Sequence, residues 1–269
     1  MGRIGRSFQL VGQSYRILMQ DKELMVLPLV SGVVIAAVVG SFAFGFGLDA
    51  SRVQRHGPDV YLPFFLMYVA TYAIGIFFQA AVVAGATERM QGGDPTVGSA
   101  LAAAGRRLGP IVMWAVVAAT VRMVIRAIHD RVGFVGRIVT SLVGAAWSLA
   151  TFFVVPVLVL EDRSMGQSFT RSVNVFKQTW GETVAGGTSL GVAAACAWVT
   201  LVAIVGLLAS VAGMMALVVF GVGAILLMIF FSALQGVYVA SLYRYATEGH
   251  ATSGFDKAQL DQAFVPKRR

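Results

Sequence analysis

The feature that most constrains this chain is a long stretch near its carboxyl end that carries no charged side chain. Between Glu182 and Arg244 every residue is apolar, small or uncharged. A helix needs about 20 apolar residues to cross the roughly 30 Å hydrocarbon core of a bilayer. The stretch has room for two such helices, at about 184–210 and 215–243, joined by a tight turn near Ala212. It therefore predicts a helical hairpin inside a membrane.

Four more apolar runs precede this hairpin. Hydrophobic residues make up 57% of the chain and charged residues only 13%, whereas soluble domains carry about 25% charged residues. A β-barrel is disfavoured because its strands alternate over about 10 residues and do not form continuous apolar runs. The sequence predicts an all-α, polytopic protein with six transmembrane helices, the first four at about 24–48, 61–86, 110–128 and 138–160.

Basic side chains are unevenly distributed between the two sets of helix ends. Lys and Arg collect in the cytoplasmic loops of membrane proteins, so both termini are expected in the cytoplasm. The net charge of +8 is assigned to this asymmetry and to anionic lipid. No soluble basic face suggests a nucleic-acid partner. With the amino terminus inside, the outer loops hold only Arg52, Arg55, Arg131 and Arg137, and the inner segments hold Arg3, Arg6, Arg16, Lys22, Arg89, Arg106, Arg107, Arg163, Arg171, Lys177, Arg244, Lys257, Lys267, Arg268 and Arg269.

Amphipathic segments precede the first and fifth predicted spans. Each has apolar side chains at helical spacing and is expected to lie along the membrane surface. A shift of 161 positions pairs Ser7 with Ser168 and Tyr15 with Phe176. The even-numbered spans each carry a Phe-Phe pair. We therefore predict one membrane domain over 1–248, built from three repeats of a surface amphipathic helix plus a helical hairpin, and a mobile cytoplasmic tail. The apolar positions of the two amphipathic segments are Ile4, Phe8, Val11, Tyr15 and Leu18 in the first and Phe169, Val173, Phe176 and Trp180 in the second. The Phe pairs are at 77–78, 152–153 and 230–231. The three repeats cover about 1–90, 91–163 and 164–248, and the tail covers 249–269.

Several longer segments resemble a known family. They are RSFQLVGQSYRILMQDKELMVLPLVSG, GATERMQGGDPTVGSAL, FFVVPVLVLE, SFTRSVNVF and TWGE. Over nearly the whole chain they resemble an uncharacterised family of bacterial, mostly actinobacterial, six-span membrane proteins. The layout is more distantly similar to the membrane domain fused to some bacterial glycerophosphodiester phosphodiesterases, whose catalytic domain is absent here. The resemblance implies a multi-pass protein of the bacterial cytoplasmic membrane and supplies no catalytic residue.

Two arginine pairs at the ends of the third span are candidates for a lipid- or anion-binding site. Arg122 and Arg126 lie four residues apart on one helix face, with Asp130 as an ion-pair partner of Arg126. They either extend to the headgroups or bind an anion or a lipid phosphate, which Arg binds in a bidentate manner. Arg106 and Arg107 at the inner end either set the topology or form a headgroup site.

Small residues and a proline suggest how the helices pack. Gly187, Gly191 and Ala195 in the fifth span have the spacing that lets two helices approach closely. The partner is either another helix of the same chain or a second copy in a homo-oligomer. Pro156 is predicted to kink the fourth span, because proline removes one backbone hydrogen bond.

No sequence pattern indicates a reaction. The chain has no phosphate-binding loop, nucleophile elbow or HExxH motif, and its three histidines and Cys196 lack metal-ligand spacing. We therefore predict no cofactor, no metal and no enzymatic activity. The leading hypothesis is a protein that organises or handles membrane lipid. The alternative is a channel or a small-solute or anion transporter, working as an oligomer. No carboxylate lies in the middle of a span, which disfavours proton coupling.

Overall fold

Every regular element in the described part of the chain is a helix. The computed structural model describes residues 12, 14–45, 58–209 and 212–248, without the side chains of 58–61, 180–186, 245 and 248. The predicted tail, most of the first amphipathic segment and the first loop lie outside these residues. Residues 14–20 are helical and lead into a 3₁₀-helix, Lys22–Met25. The α-helices that follow are α1 (Val26–Gly45), α2 (Pro58–Met90), α3 (Val97–Gly105), α4 (Leu108–His129), α5 (Phe134–Ala150), α6 (Val154–Leu160), α7 (Met165–Ala209) and α8 (Gly213–Glu248).

Six of the helical segments in the described ranges are long and apolar enough to cross a membrane. The prediction of six such segments is confirmed, and a multi-pass membrane protein is what their length and composition indicate. Each segment overlaps a predicted span and differs from it by a few residues at the ends. They are Lys22–Gly45, Leu62–Met90, Leu108–His129, Phe134–Leu160, Gly187–Ala209 and Gly213–Arg244.

The chain divides into two compact units. In unit 1, which comprises Met1–Pro28, Gly85–Val97 and Lys177–Arg269, the 3₁₀-helix contacts α8, and the buried core includes Leu18, Leu24 and Val237. In unit 2, which comprises Leu29–Ala84 and Gly98–Phe176, α4 packs on α5 and α6. The core of unit 2 includes Ile111, Trp114, Phe153, Leu158 and Val175.

The fourth predicted span is interrupted. The sequence predicted one continuous segment over 138–160, but α5 ends at Ala150 and α6 begins at Val154. The Ser172 hydroxyl from α7 occupies the interruption: it donates a hydrogen bond to the carbonyl of Ala150 (2.8 Å) and accepts one from the amide of Phe153 (3.1 Å). Backbone N–H and C=O groups without a hydrogen-bond partner are costly inside a bilayer. The Ser172 hydroxyl supplies a partner to the Phe153 amide and the Ala150 carbonyl, where the helix is interrupted.

Pro156 lies buried in the first turn of α6, three residues after the turn at 151–153. Proline is tolerated in a first turn, where an amide would have no partner within the helix. Because it has no N–H, residue 156 gives no hydrogen bond to the carbonyl of Phe152. The interruption and the proline therefore occupy the same stretch of the span.

The start of α7 has a buried side and a half-buried side. In residues 165–176, which we call the amphipathic segment, the most buried positions are Ser168, Ser172 and Val175. The predicted apolar residues Phe169, Val173 and Phe176 are only half-buried, and the side chain of Trp180 is outside the described set. Small side chains face the protein because they allow a close approach to the neighbouring helix. The threefold repeat stays a prediction.

Candidate functional site

Helix α4 of unit 2 carries arginines at both ends, as the sequence predicted. The helix tolerates Pro110 because this residue lies in its first turn. Its 22 residues span about 33 Å at 1.5 Å per residue, which is close to the roughly 30 Å of a hydrocarbon core. Arg106 and Arg107 therefore precede one end of a helix of membrane-spanning length, Arg126 lies near its other end, and Arg122 lies one helical turn further inside.

At the first end, Arg107 is tied to the turn that follows α6. Its guanidinium forms an ion pair with Asp162 and donates a hydrogen bond to the carbonyl of Glu161 at 3.0 Å. Arg106 is exposed and forms no ion pair within the described ranges. The two predicted residues thus differ: one holds the fold together and the other faces outward.

The Glu161 carboxylate joins two further arginines to this end. It pairs with Arg163 and, at 3.1 Å, with Arg171 of the amphipathic segment. The inner cluster, defined as Arg106, Arg107, Arg163, Arg171, Glu161 and Asp162, has four arginines against two carboxylates.

An aromatic stack lies in the same unit. The ring of Trp147 is 5.9 Å from that of Trp114 and 5.8 Å from that of Phe169, measured between centroids. Trp114 is buried at 4% exposure, while Phe169 is half-buried. Sequence reasoning missed the two tryptophans. The enrichment of Trp at membrane interfaces was the signal that could have found them.

At the second end of α4, Arg122 lies over an aromatic ring. Its guanidinium carbon is 5.8 Å from the centroid of Tyr72 on α2, within the range of a cation–π interaction. Tyr72 in turn packs on Tyr68 at 4.9 Å. Among the described residues, Arg122 forms no ion pair with a carboxylate. The Arg122 guanidinium, which belongs to a helix of membrane-spanning length, is therefore stabilised by the face of the Tyr72 ring.

Arg126 is more exposed, and it has the partner that the sequence predicted. It lies 4.0 Å from Asp130, with side-chain exposures of 85% and 65%. Beyond it, the turn and the start of α5 add exposed Arg131 and Arg137. His129 Nδ1 and the Thr140 hydroxyl lie 2.8 Å apart and link α4 to α5. We call Arg122, Arg126, Arg131 and Arg137, at the turn between α4 and α5, the hairpin patch. It has four arginines and one neighbouring carboxylate, that of Asp130.

In unit 1, the small residues predicted to pack lie on the open side of α7. Gly187, Gly191 and Ala195 are exposed, and a Cβ at either glycine would meet nothing within 4 Å. Close approach occurs instead at Gly223 of α8, where a Cβ would lie 2.6 Å from Leu201. Packing of the three residues against a second copy stays a prediction.

Unit 1 also contains an ion-pair group. Arg89 at the end of α2 pairs with the buried Asp21 through two guanidinium nitrogens, and with the exposed Asp94 at 2.7 Å. The sequence placed Arg89 beside Glu88 and missed Asp21, which is 68 residues away. Within the part of the chain that is described, no group of three or more His, Cys, Asp or Glu residues could hold a metal ion.

Comparison with known proteins identifies a family without an assigned role. Residues 59–255 match a family of unknown function, DUF6159. This match covers most of the chain, so the chain belongs to that family. No curated protein and no solved structure matches the chain.

Proposed function

We propose that this member of DUF6159 is a non-enzymatic protein of the bacterial cytoplasmic membrane that binds and organises anionic lipid. Its six spanning-length helices support the membrane placement. Both termini are assigned to the cytoplasm because most Lys and Arg side chains then lie inside.

The observation that carries the proposal is the arrangement of the amphipathic segment. Ser168 and Ser172 hold its small side against the protein, where both are fully buried. This leaves the half-buried Phe169 and Phe176 at the margin of the protein. Partly exposed aromatic rings beside basic side chains are typical of helices that lie at the headgroup level.

The charge of the inner cluster gives the preferred lipid. Four arginines against two carboxylates leave an excess of two positive charges, and Arg106 is exposed. Basic residues near a membrane surface gain about 1 kcal/mol each from anionic lipid. The excess therefore corresponds to a preference of roughly thirtyfold for anionic over zwitterionic lipid.

We also propose that the chain has the three-repeat architecture predicted from the sequence, within one membrane domain over 1–248. The shift of 161 positions pairs Ser14 with Val175, and both are buried. It pairs Arg16 with Lys177, and both are exposed. Burial agrees at these two pairs and differs at Ile17 and Gln178, of which only Ile17 is buried, so the repeat is proposed on the paired sequence positions and the Phe pairs.

Quenching of tryptophan fluorescence tests the lipid proposal directly. In a W180F/W198F background, Trp114 and Trp147 of the aromatic stack are the tryptophans that remain of the chain's four, so brominated lipid bound beside the amphipathic segment should quench them. In nanodiscs we expect stronger quenching by brominated phosphatidylglycerol than by brominated phosphatidylcholine. The double variant R106Q/R163Q should reduce the difference, and the matched control R137Q, at the other end of the hairpin, should not.

Equal quenching by the two lipids would refute the proposal. Planar-bilayer recordings address the alternative of a channel or anion transporter. An anion conductance that disappears in R122A/R126A, together with equal quenching, would favour that alternative. An electrically silent protein that retains anionic lipid would favour lipid binding.

A further inference from the structure

We infer that the hairpin patch of unit 2 binds a phosphate group at the membrane face opposite the amphipathic segment, with the phosphate of an anionic lipid as its main source. The inference rests on the membrane placement proposed above. It does not depend on lipid binding at the inner cluster. The patch is a second site, formed by the far end of α4, the turn after it and the start of α5.

The position of these arginines is not explained by topology. Basic residues orient a membrane protein by collecting on the cytoplasmic side. The hairpin patch lies at the opposite end of α4 from Arg106 and Arg107, so its charges oppose the orientation that the inner residues set. The rule that basic residues collect on the cytoplasmic side therefore does not account for the four arginines at that end, whereas binding of an anion does.

The depth of Arg122 also favours a ligand. It lies seven residues before the end of α4 at His129, which is about 10 Å along the helix axis. A charge inside the hydrocarbon region is costly, and a long arginine stem can carry the guanidinium toward the headgroups. The Tyr72 ring at 5.8 Å covers one face of the guanidinium and leaves its N–H groups available to an acceptor.

The geometry of the neighbouring charges suits a phosphate. Arg122 and Arg126 are separated by one helical turn, so their Cβ atoms lie about 5–6 Å apart. The Asp130 carboxylate neutralises little of the patch, because it is 65% exposed and 4.0 Å from the nearest guanidinium nitrogen. Guanidinium groups bind phosphate oxygens through paired hydrogen bonds. An anion between these two side chains would receive donors from both.

A reporter at the patch distinguishes this site from the inner cluster. Phe134 begins α5 and is 79% exposed, so F134W places a tryptophan at this end of the hairpin. The quantity measured is the quenching that F134W adds to the parent protein in nanodiscs. We expect added quenching from brominated phosphatidylglycerol and little from brominated phosphatidylcholine. R122Q/R126Q should abolish the difference, and R106Q should leave it unchanged.

A second variant covers the case in which R122Q/R126Q does not fold. The Arg126 side chain is 85% exposed, so R126Q should fold normally. We expect it to weaken the apparent affinity for the brominated anionic lipid about fivefold. The inference is overturned if both lipids quench F134W equally, or if R126Q binds the anionic lipid as the parent does.

Inorganic phosphate separates the two sources of the ligand. It is titrated at constant ionic strength, with chloride as the matched salt. Displacement of the brominated lipid by phosphate, but not by chloride, would support a site that also accepts free phosphate. Resistance to both salts, with the lipid preference intact, would support a site for lipid phosphate. Because the measured quantity is the quenching that F134W adds to the parent protein, the contribution of the parent's own four tryptophans is subtracted.

Discussion

The Ser172 hydroxyl donates a hydrogen bond to the carbonyl of Ala150, 22 positions earlier in the chain. Its oxygen also accepts a hydrogen bond from the amide of Phe153. The amphipathic segment and the fourth span are thus joined by a side chain that completes the backbone bonding of the span. Removing the hydroxyl would take this partner from one buried backbone amide and one part-buried carbonyl.

We expect Ser172→Ala to destabilise the protein. An unsatisfied buried donor or acceptor costs about 1–3 kcal/mol, and the alanine supplies neither group. The measurement is the free energy of unfolding during titration with a denaturing detergent. Thr170→Ala is the matched control, since the Thr170 hydroxyl is exposed and bonds only to its own helix. Equal losses in the two variants would contradict the assigned role of Ser172.

The two acidic partners of Arg89 should contribute very differently. Asp21 has 8% side-chain exposure and Asp94 has 91%. Breaking a buried pair costs about 3–5 kcal/mol, but Arg89 is 26% exposed, so we expect about 2 kcal/mol for Asp21→Ala after solvent screening. Asp94→Ala should cost about 0–1 kcal/mol. The midpoints of thermal unfolding of the two variants measure this difference. Similar midpoints would contradict the larger contribution expected from Asp21.

A side chain added to α8 would meet a neighbouring helix at Gly223 and open space at Gly221. A Cβ at Gly223 would lie 2.6 Å from Leu201 Cδ1, whereas at Gly221 it would meet nothing within 4 Å. Overpacking costs about 1–3 kcal/mol, but the Leu201 methyl is the end of a flexible side chain that can shift, so we expect a loss of about 1 kcal/mol for Gly223→Val and almost none for Gly221→Val. The measurement is again the free energy of unfolding. A Gly221→Val variant that is equally destabilised would exclude a specific contact with Leu201.

Cysteine labelling tests the proposed orientation. In a Cys196→Ser background, Val135→Cys places a thiol at an exposed position at the hairpin end, and Asn174→Cys places one on the exposed side of the amphipathic segment. We expect a membrane-impermeant maleimide to label residue 135 in intact cells and residue 174 only after permeabilisation, because the basic residues place the latter inside. The reverse pattern would show that the topology is inverted.

The number and position of the spanning-length helices could be predicted from the sequence because they depend on a local property. A run of about 20 apolar residues is visible without knowledge of its neighbours. The uncharged run from Val184 to Tyr243 is long enough for two spanning helices, so a turn near its middle was sufficient to predict a helical hairpin. The interruption before Val154 could not be predicted in the same way, since it involves Ser172 from a later helix.

In the candidate sites too, contacts within one helix could be predicted from the sequence and contacts between helices could not. The pairing of Arg126 with Asp130 follows from helical spacing alone and was predicted. The contacts of Arg107 with Asp162 and of Arg122 with Tyr72 join residues 55 and 50 positions apart. Tertiary packing decides which of several similar side chains meet, and spacing along one helix carries no information about it.

The bond from Ser172 has a consequence for the order in which the protein is synthesised. Residue 172 leaves the ribosome 22 residues after Ala150, which takes about 1–4 s at ordinary rates of translation. Until then the turn at 151–153 lacks this partner, in a setting where lipid offers no hydrogen bonds. The fourth span can therefore reach its final form only after the chain that follows it has emerged and folded back against it.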